Sequence, residues 1–279
     1  MTAPPPDGSR DRRIEDLSNL YLIHPAAQAL VPRAIAWGVS PNAVSLAGLA
    51  FGIAAALCYA RWTWWPASVA GFALSIAWLI ADGLDGKLAR ATGRTSDIGR
   101  ILDGVVDHGV FILLYVALAA SLGTAAAWGT AVAAGACHAL QSTLYEGERT
   151  RFHRRLKREP APPKSSDVPI YDTLARAFDR AAPDFDALLL APGAGSRLAH
   201  DYGERAAPAM RLMALESANV RVLAIFLACL ASRPMLFWWL EIGPLMLLLL
   251  ATTLWLRHGE ARLVARWSGH DARLGRRAT

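Results

Sequence analysis

Six apolar blocks, each close to 20 residues long, punctuate the chain at roughly 42–60, 63–82, 101–121, 124–146, 212–232 and 235–256. A bilayer's hydrocarbon core takes about 20 apolar residues of helix to cross. Inside it every backbone polar group must find its partner within the protein, which leaves helices or closed barrels as the spanning structures. The blocks therefore predict an all-α polytopic membrane protein with six transmembrane helices. The chain then divides into an N-terminal segment (1–41), spans one to four (42–146), a loop (147–210), spans five and six (211–257) and a basic tail (258–279). The opening MTAPPPDGSRDRRIED is polar and mixed in charge, so it does not read as a signal peptide. Cys58, Cys137 and Cys229 all fall inside apolar blocks, where they read as small buried hydrophobes and not as a disulfide framework.

The net charge of +6 raises the question of nucleic acid, but its placement answers otherwise. With a cytoplasmic N-terminus, the turns at 61–63, 121–124 and 232–234 lie outside and carry only Arg61 and Arg233. Nearly all the remaining Lys and Arg fall in the segments this places in the cytoplasm, with runs after span four, from Arg149 to Arg158, and in the tail. That is the positive-inside distribution. Basicity of this kind orients the chain and attracts anionic lipid heads; nucleic acid is not an expected partner.

Residues 12–37 have a loosely helical apolar spacing (Ile14, Leu17, Leu20, Tyr21, Ala27, Leu30, Val31, Ile35) and predict an amphipathic helix lying in the cytoplasmic interface. Pro25 and Pro32 are expected to break or bend it. Ser40 or Asn42 is available to cap the first span. Trp62, Trp64 and Trp65 fall where indoles prefer the outer headgroup level, and Trp238 and Trp239 are expected to do the same. In the long loop, a proline-rich stretch at 159–163 precedes a possible surface helix at 169–181, and the whole reads as a membrane-apposed connector.

The chemistry concentrates where span two ends and span three begins. Between residues 82 and 107 stand Asp82, Asp85, Asp103 and Asp107. Carboxylates at the edge of hydrocarbon are costly, and an ionisable residue there is a functional-site hypothesis by default. Asp82 and Asp85 are i, i+3 neighbours, and Asp103 and Asp107 are i, i+4 neighbours on the next helix. A short turn joins the two helices, so the rows can face one another. Four hard oxygen donors at one membrane edge suit a divalent cation, Mg²⁺ or Mn²⁺. Gly86 and Ala89, on the same face as Asp82 and Asp85, leave the helix surface bare for a ligand to approach. Arg90 at the margin is suited to a phosphate. Either half alone would read as a solvated helix end or ordinary small-residue packing; the complete spacing is what points to chemistry.

That spacing, Asp-x-x-Asp-Gly-x-x-Ala-Arg, eight residues, then Gly-x-x-x-Asp-x-x-x-Asp, resembles the signature of the CDP-alcohol phosphotransferase family and matches it over 82–107 without a departure. Pro41-Asn42-Ala43-Val44-Ser45 is similar to the family's N-terminal segment. The resemblance implies a homodimer in the bacterial inner membrane, with a polar cavity open to the cytoplasm. It implies that Asp82, Asp85, Asp103 and Asp107 hold the metals and that Asp107 is also the proton acceptor. The cytidine diphosphate would lie against Gly86 and Arg90, with Ser96 and the turn carrying Asn42 adding contacts. The activity implied is transfer of a phosphatidyl group from CDP-diacylglycerol to a small polar alcohol with release of CMP. The alternative within the same chemistry is a soluble CDP-alcohol donating to a lipid hydroxyl. A transporter is disfavoured, because acids gathered at one membrane edge make no path through the midplane.

Outside the signature, His108 points away from Asp107 and is expected to pack or bond locally. His138, Gln141, Tyr145, Glu146 and Arg149 could line the acceptor side of a cavity or form a polar seam between helices; Arg211, Asn219 and Arg221 stand on the same ground. Glu241, inside span six, needs a partner that the sequence does not name.

Overall fold

The structure, a computed structural model, describes residues 11–160, 183–191 and 195–275. Every regular element among the described residues is helical. In chain order these are α1 (His24–Ala36), α2 (Pro41–Tyr59), α3 (Trp65–Thr92), α4 (Asp97–Leu122), α5 (Ala125–Lys157), α6 (Pro183–Leu190), α7 (Gly195–Met213), α8 (Ala218–Leu230), α9 (Met235–Leu240) and α10 (Met246–Gly275). A π-helical turn over Asn19–Ile23 precedes α1, and a second over Glu241–Leu245 follows α9. The surface helix expected at 169–181 lies outside the described residues.

Four helical stretches are long and apolar enough to cross a membrane: Pro41–Tyr59, Trp65–Thr92, Ile101–Leu122 and Met235–Trp267. A fifth is possible if Gly195–Glu216 and Ala218–Leu230, bent by 44° at their junction, form one span. The block at 124–146 does fold as helix, in α5, but it falls short of that apolarity because it is built largely of alanine and includes His138 and Gln141. Large apolar side chains such as Leu46, Leu57, Ile112, Leu247 and Leu254 remain exposed on the qualifying helices. Lipid is the medium that such faces require, and they mark an integral membrane protein.

The chain packs as two compact bodies. One comprises Asp16–His138 and Ser217–Pro244. Its main core gathers Tyr59, Trp78, Val110, Leu114, Leu118, Ile225 and Trp238. A second cluster joins α1 to α2 and α3 through Ala27, Val31, Ala34, Val44, Leu84 and Leu88. Ala27, Val31 and Ala34 follow the helical i, i+4, i+7 stripe, while Leu17, Tyr21, Ile35 and Trp37 stay exposed on other sides. The N-terminal segment is thus apolar on more than one face. Pro32 neither breaks nor ends α1, since the helix runs on to Ala36. It forfeits one backbone hydrogen bond, and the packed stripe on either side of it holds the turn. Pro25 sits where the π-helical turn over Asn19–Ile23 passes into α1, and it does not break the run either. Trp64, Trp65 and Trp239 are exposed as expected of interfacial indoles, but Trp238 is fully buried in the core.

The other body draws its described residues from 11–15, 139–216 and 245–275. Phe152, Phe185, Leu198, Tyr202, Met210 and Leu263 form its core. A web of ion pairs ties α5, α6 and α10 together. Arg154 and Arg155 both reach Asp186, Arg155 also meets Glu260 at 2.7 Å, and Arg257 bonds Glu148 and Glu260. The Arg155 guanidinium lies 4.4 Å from the Phe185 ring centre. Much of the positive charge after span four is therefore neutralised within the fold.

In the first body, α2 packs against both α3 and α4 because its contact face is small. Gly48 meets Ala81 and Trp78 of α3, and Gly52 meets Val110 of α4. A Cβ at Gly52 would stand 2.3 Å from Val110 Cγ2, so the backbones touch as in other small-xxx-small contacts. We expect Gly52→Leu to destabilise the protein by about 1–3 kcal/mol, the usual cost of overpacking. Thermal unfolding in detergent measures this; an unchanged midpoint would mean that α2 and α4 do not meet at this glycine.

Candidate active site

Two helix ends and the turn between them build the site. α3 stops where Gly93 takes a left-handed conformation (φ 66°), a geometry that glycine adopts without a Cβ penalty. Four residues later α4 begins, capped by Ser96, whose hydroxyl accepts from the Gly99 amide at 3.0 Å. The last turns of α3 and the early turns of α4 thereby carry the acidic residues.

Asp82, Asp85 and Asp103 converge, each offering a carboxylate oxygen within 4.8 Å of the others. Oxygens around one octahedral Mg²⁺, at about 2.0–2.1 Å from the ion, stand roughly 3–4 Å apart, so a small contraction of the set would seat a hard divalent cation. Asp82 and Asp103 lie within hydrogen-bonding reach of one another. Two carboxylates that close require a shared proton or a cation between them. Asp107, one turn further along α4, acts electrostatically on Asp82 but stands outside the group of three. Asp85 is 7% exposed. It accepts a hydrogen bond from Ser45 Oγ at 2.5 Å.

The remaining expected residues surround this cluster. Arg90 is exposed on α3, and its guanidinium folds back over Gly86, with Nη1 3.4 Å from where a Cβ would be. Only the flexible end of that side chain covers the glycine, so the helix surface there can be bared. Ala89 is half-buried beside it. Asn42 and Ser96 meet at Gly99, with Asn42 Oδ1 3.3 Å and Ser96 Oγ 3.1 Å from its notional Cβ. Ser40 and not Asn42 caps α2, accepting from the Ala43 amide at 3.2 Å, which leaves the Asn42 amide for other work. His108 bonds locally, its Nδ1–H donating to the Gly104 carbonyl at 2.8 Å. Sequence reasoning gave Ser45 no role; its signal was a hydroxyl near the start of an apolar helix, four residues after Pro41.

Residues 38–157 match the sequence model of the CDP-alcohol phosphatidyltransferase family, and every residue assembled above lies inside that stretch. That stretch is similar to CDP-alcohol phosphatidyltransferase domains. The family's chemistry is transfer of a substituted phosphate group. A phosphatidylinositol phosphate synthase of Mycolicibacterium smegmatis is 35% identical over 99 residues, a stretch covering 33% of this chain and 42% of that protein.

Outside the acidic cluster, several of the polar residues singled out in the sequence have structural partners. Glu241, fully buried, accepts from Arg221 Nε at 2.8 Å and lies 3.6 Å from His138 Nδ1. His138 packs against Phe111 with ring centres 4.4 Å apart and the rings tilted by 50°. Asn219 donates to Ser18 and Asn19, and Arg211 to the Arg13 carbonyl, so both anchor the N-terminal segment. Arg149 pairs with Glu146 at 2.8 Å and covers the Tyr145 ring.

Removing one member of a buried ion pair strands the other, at a cost of about 3–5 kcal/mol. We therefore expect Glu241→Ala to lower stability by that order, and the double variant Arg221→Met, Glu241→Leu to recover most of it. Unfolding midpoints of the three proteins test this. A double variant no better than Glu241→Ala would show that the pair is not the unit.

Proposed function

We propose that this chain transfers a phosphatidyl group from CDP-diacylglycerol to the hydroxyl of a small polar alcohol and releases CMP. The observation that carries the reading is the convergence of Asp82, Asp85 and Asp103 inside a stretch similar to CDP-alcohol phosphatidyltransferase domains. With Asp107 they are assigned to hold two divalent ions, Mg²⁺ or Mn²⁺. When bound, such ions neutralise the pyrophosphate oxygens and the departing CMP. Gly86 and Ala89 give the donor's phosphates a bare helix face, and Arg90 swings from Gly86 to bind them. Asn42 and Ser96, held together at Gly99, are assigned to the cytidine end.

The acceptor hydroxyl attacks the β-phosphorus, the bond from that phosphorus to the CMP oxygen breaks, and the hydroxyl proton passes to an Asp107 carboxylate oxygen. The position of Asp107, beside Asp82 but apart from the tight group, suits a residue with this second task. The topology that goes with this reading has six spans, an interfacial N-terminal segment and the site facing the cytoplasm of a bacterial inner membrane, in a homodimer. Its support is the positive-inside charge pattern and the family resemblance.

Acceptor identity follows from neither sign of charge after span four, because Glu146 is paired with Arg149, and Arg151, Arg154 and Arg155 with Glu148 and Asp186. Inositol phosphate is the first acceptor to try, given the name of the mycobacterial relative. The deciding assay is CMP release by purified protein with CDP-diacylglycerol and a panel of anionic, neutral and cationic alcohols. We expect turnover with one class, its loss in EDTA, and its return with Mg²⁺ or Mn²⁺. Full turnover in EDTA would overturn the metal assignment, and release only with a soluble CDP-alcohol and diacylglycerol would reverse the direction.

Asp107→Asn separates chemistry from binding. It keeps the side chain's size but removes the proton acceptor, so turnover should fall at least about 10²-fold while donor affinity changes less. Recovery of the full rate at saturating Mg²⁺ would make Asp107 a ligand only.

A further inference from the structure

Hydroxyls on apolar helices ordinarily return to their own backbone, four residues back. Several in this protein do so. Ser75 bonds the Gly71 carbonyl at 2.8 Å, Thr92 that of Leu88 at 2.7 Å, and Thr143 that of Ala139 at 2.7 Å. Ser45 has the same option in the Pro41 carbonyl, but that contact is long, at 3.3 Å. Its hydroxyl lies instead 2.5 Å from Asp85 Oδ2 on another helix, and both residues are buried, at 5% and 7% exposure. Ser45 shares one face of α2 with Gly48 and Gly52, at positions i, i+3 and i+7, and those two glycines bring α2 against α3 and α4. The close approach is what carries the hydroxyl to the carboxylate.

We propose that Ser45 is a positioning residue for Asp85, holding Oδ2 so that the carboxylate presents a single oxygen toward Asp82 and Asp103. The proposal rests on the metal-centre reading of those three acids. A side chain that orients a metal ligand tunes affinity about as strongly as a weak ligand does, by about 10–100-fold. It also bears on which ion is accepted. Mg²⁺ and Mn²⁺ suit monodentate oxygens in near-octahedral array, whereas Ca²⁺ takes six to eight oxygens at longer range and accepts both atoms of one carboxylate. A hydroxyl committed to Oδ2 opposes that two-oxygen grip. Ser45 therefore favours the smaller ions.

The test is Mn²⁺ binding to the purified full-length protein without substrate, read from the electron paramagnetic resonance of free Mn²⁺ and repeated with Ca²⁺ as competitor. Ser45→Ala should weaken Mn²⁺ by about 10-fold or more and let Ca²⁺ compete better than in the parent. Ser45→Thr, which keeps the hydroxyl, should retain both properties. Ser75→Ala, which removes a buried hydroxyl bonded to its own helix, should change neither. Unfolding in EDTA shows whether each variant is folded. If Ser45→Ala is not, Ser45→Cys, with only a weak S–H donor, takes its place with the same expectation. Asp85→Asn distinguishes the two levels of the argument. If it weakens Mn²⁺ while Ser45→Ala binds like the parent, Ser45 has no positioning role and the metal centre stands. If Asp85→Asn itself binds Mn²⁺ normally, the metal reading fails and the proposal fails with it.

Discussion

Carboxylates gathered within 4.8 Å repel one another, and at a membrane edge they have little bulk water to screen them. The surrounding structure can be understood as the means of holding them there. Asp82 and Asp85 ride on α3, Asp103 and Asp107 on α4, and the left-handed Gly93 with the Ser96 cap turns the chain between them in four residues. The repulsion is local, but its offset is spread over two helices and their packing partners. A divalent cation is the component that converts this costly arrangement into a favourable one.

α2 is the most economical of those partners. Its face of Ser45, Gly48 and Gly52 touches both acid-bearing helices, through packing at the glycines and through a hydrogen bond at the serine. Steric fit and electrostatic support are joined on one stripe eight residues long. The same body keeps a second buried charge system, Arg221 with Glu241, and settles it by direct pairing. Opposite charges within reach make Glu241 quiet; the three aspartates are drawn together beside like charges, with the Ser45 hydroxyl on Asp85, and remain suited to a cation.

The acidic signature was legible because its chemistry is encoded at short separations: i, i+3 on one helix, i, i+4 on the next, with a turn between. Helix periodicity converts such spacing into geometry directly, and Ser40, one of the two caps expected for the first span, followed the ordinary rules of capping. Pairings between distant segments were not legible. Ser45 meets Asp85 across 40 residues, and Arg257 meets Glu148 across 109. No periodicity relates such positions, so Glu241 lacked a named partner and the arginines after span four looked free. Trp238 shows the same limit, because its burial depends on which side of α9 faces the core. Span four blurred for a different reason: alanine is only mildly apolar, and His138 and Gln141 dilute it further.

The Gly52–Val110 contact has a mechanical consequence. Gly52 lies seven residues from Ser45, or about 10 Å along the helix axis. A helix pressed so closely against its neighbour turns about that point as a lever turns about its fulcrum. A tilt of about 5° there carries the serine hydroxyl through about 1 Å, enough to open a 2.5 Å bond beyond hydrogen-bonding range. Membrane helices tilt to match the thickness of the bilayer around them. Acyl-chain length thus becomes a variable that reaches the carboxylates mechanically, and micelles and bilayers of different thickness need not report the same affinity for the same ion.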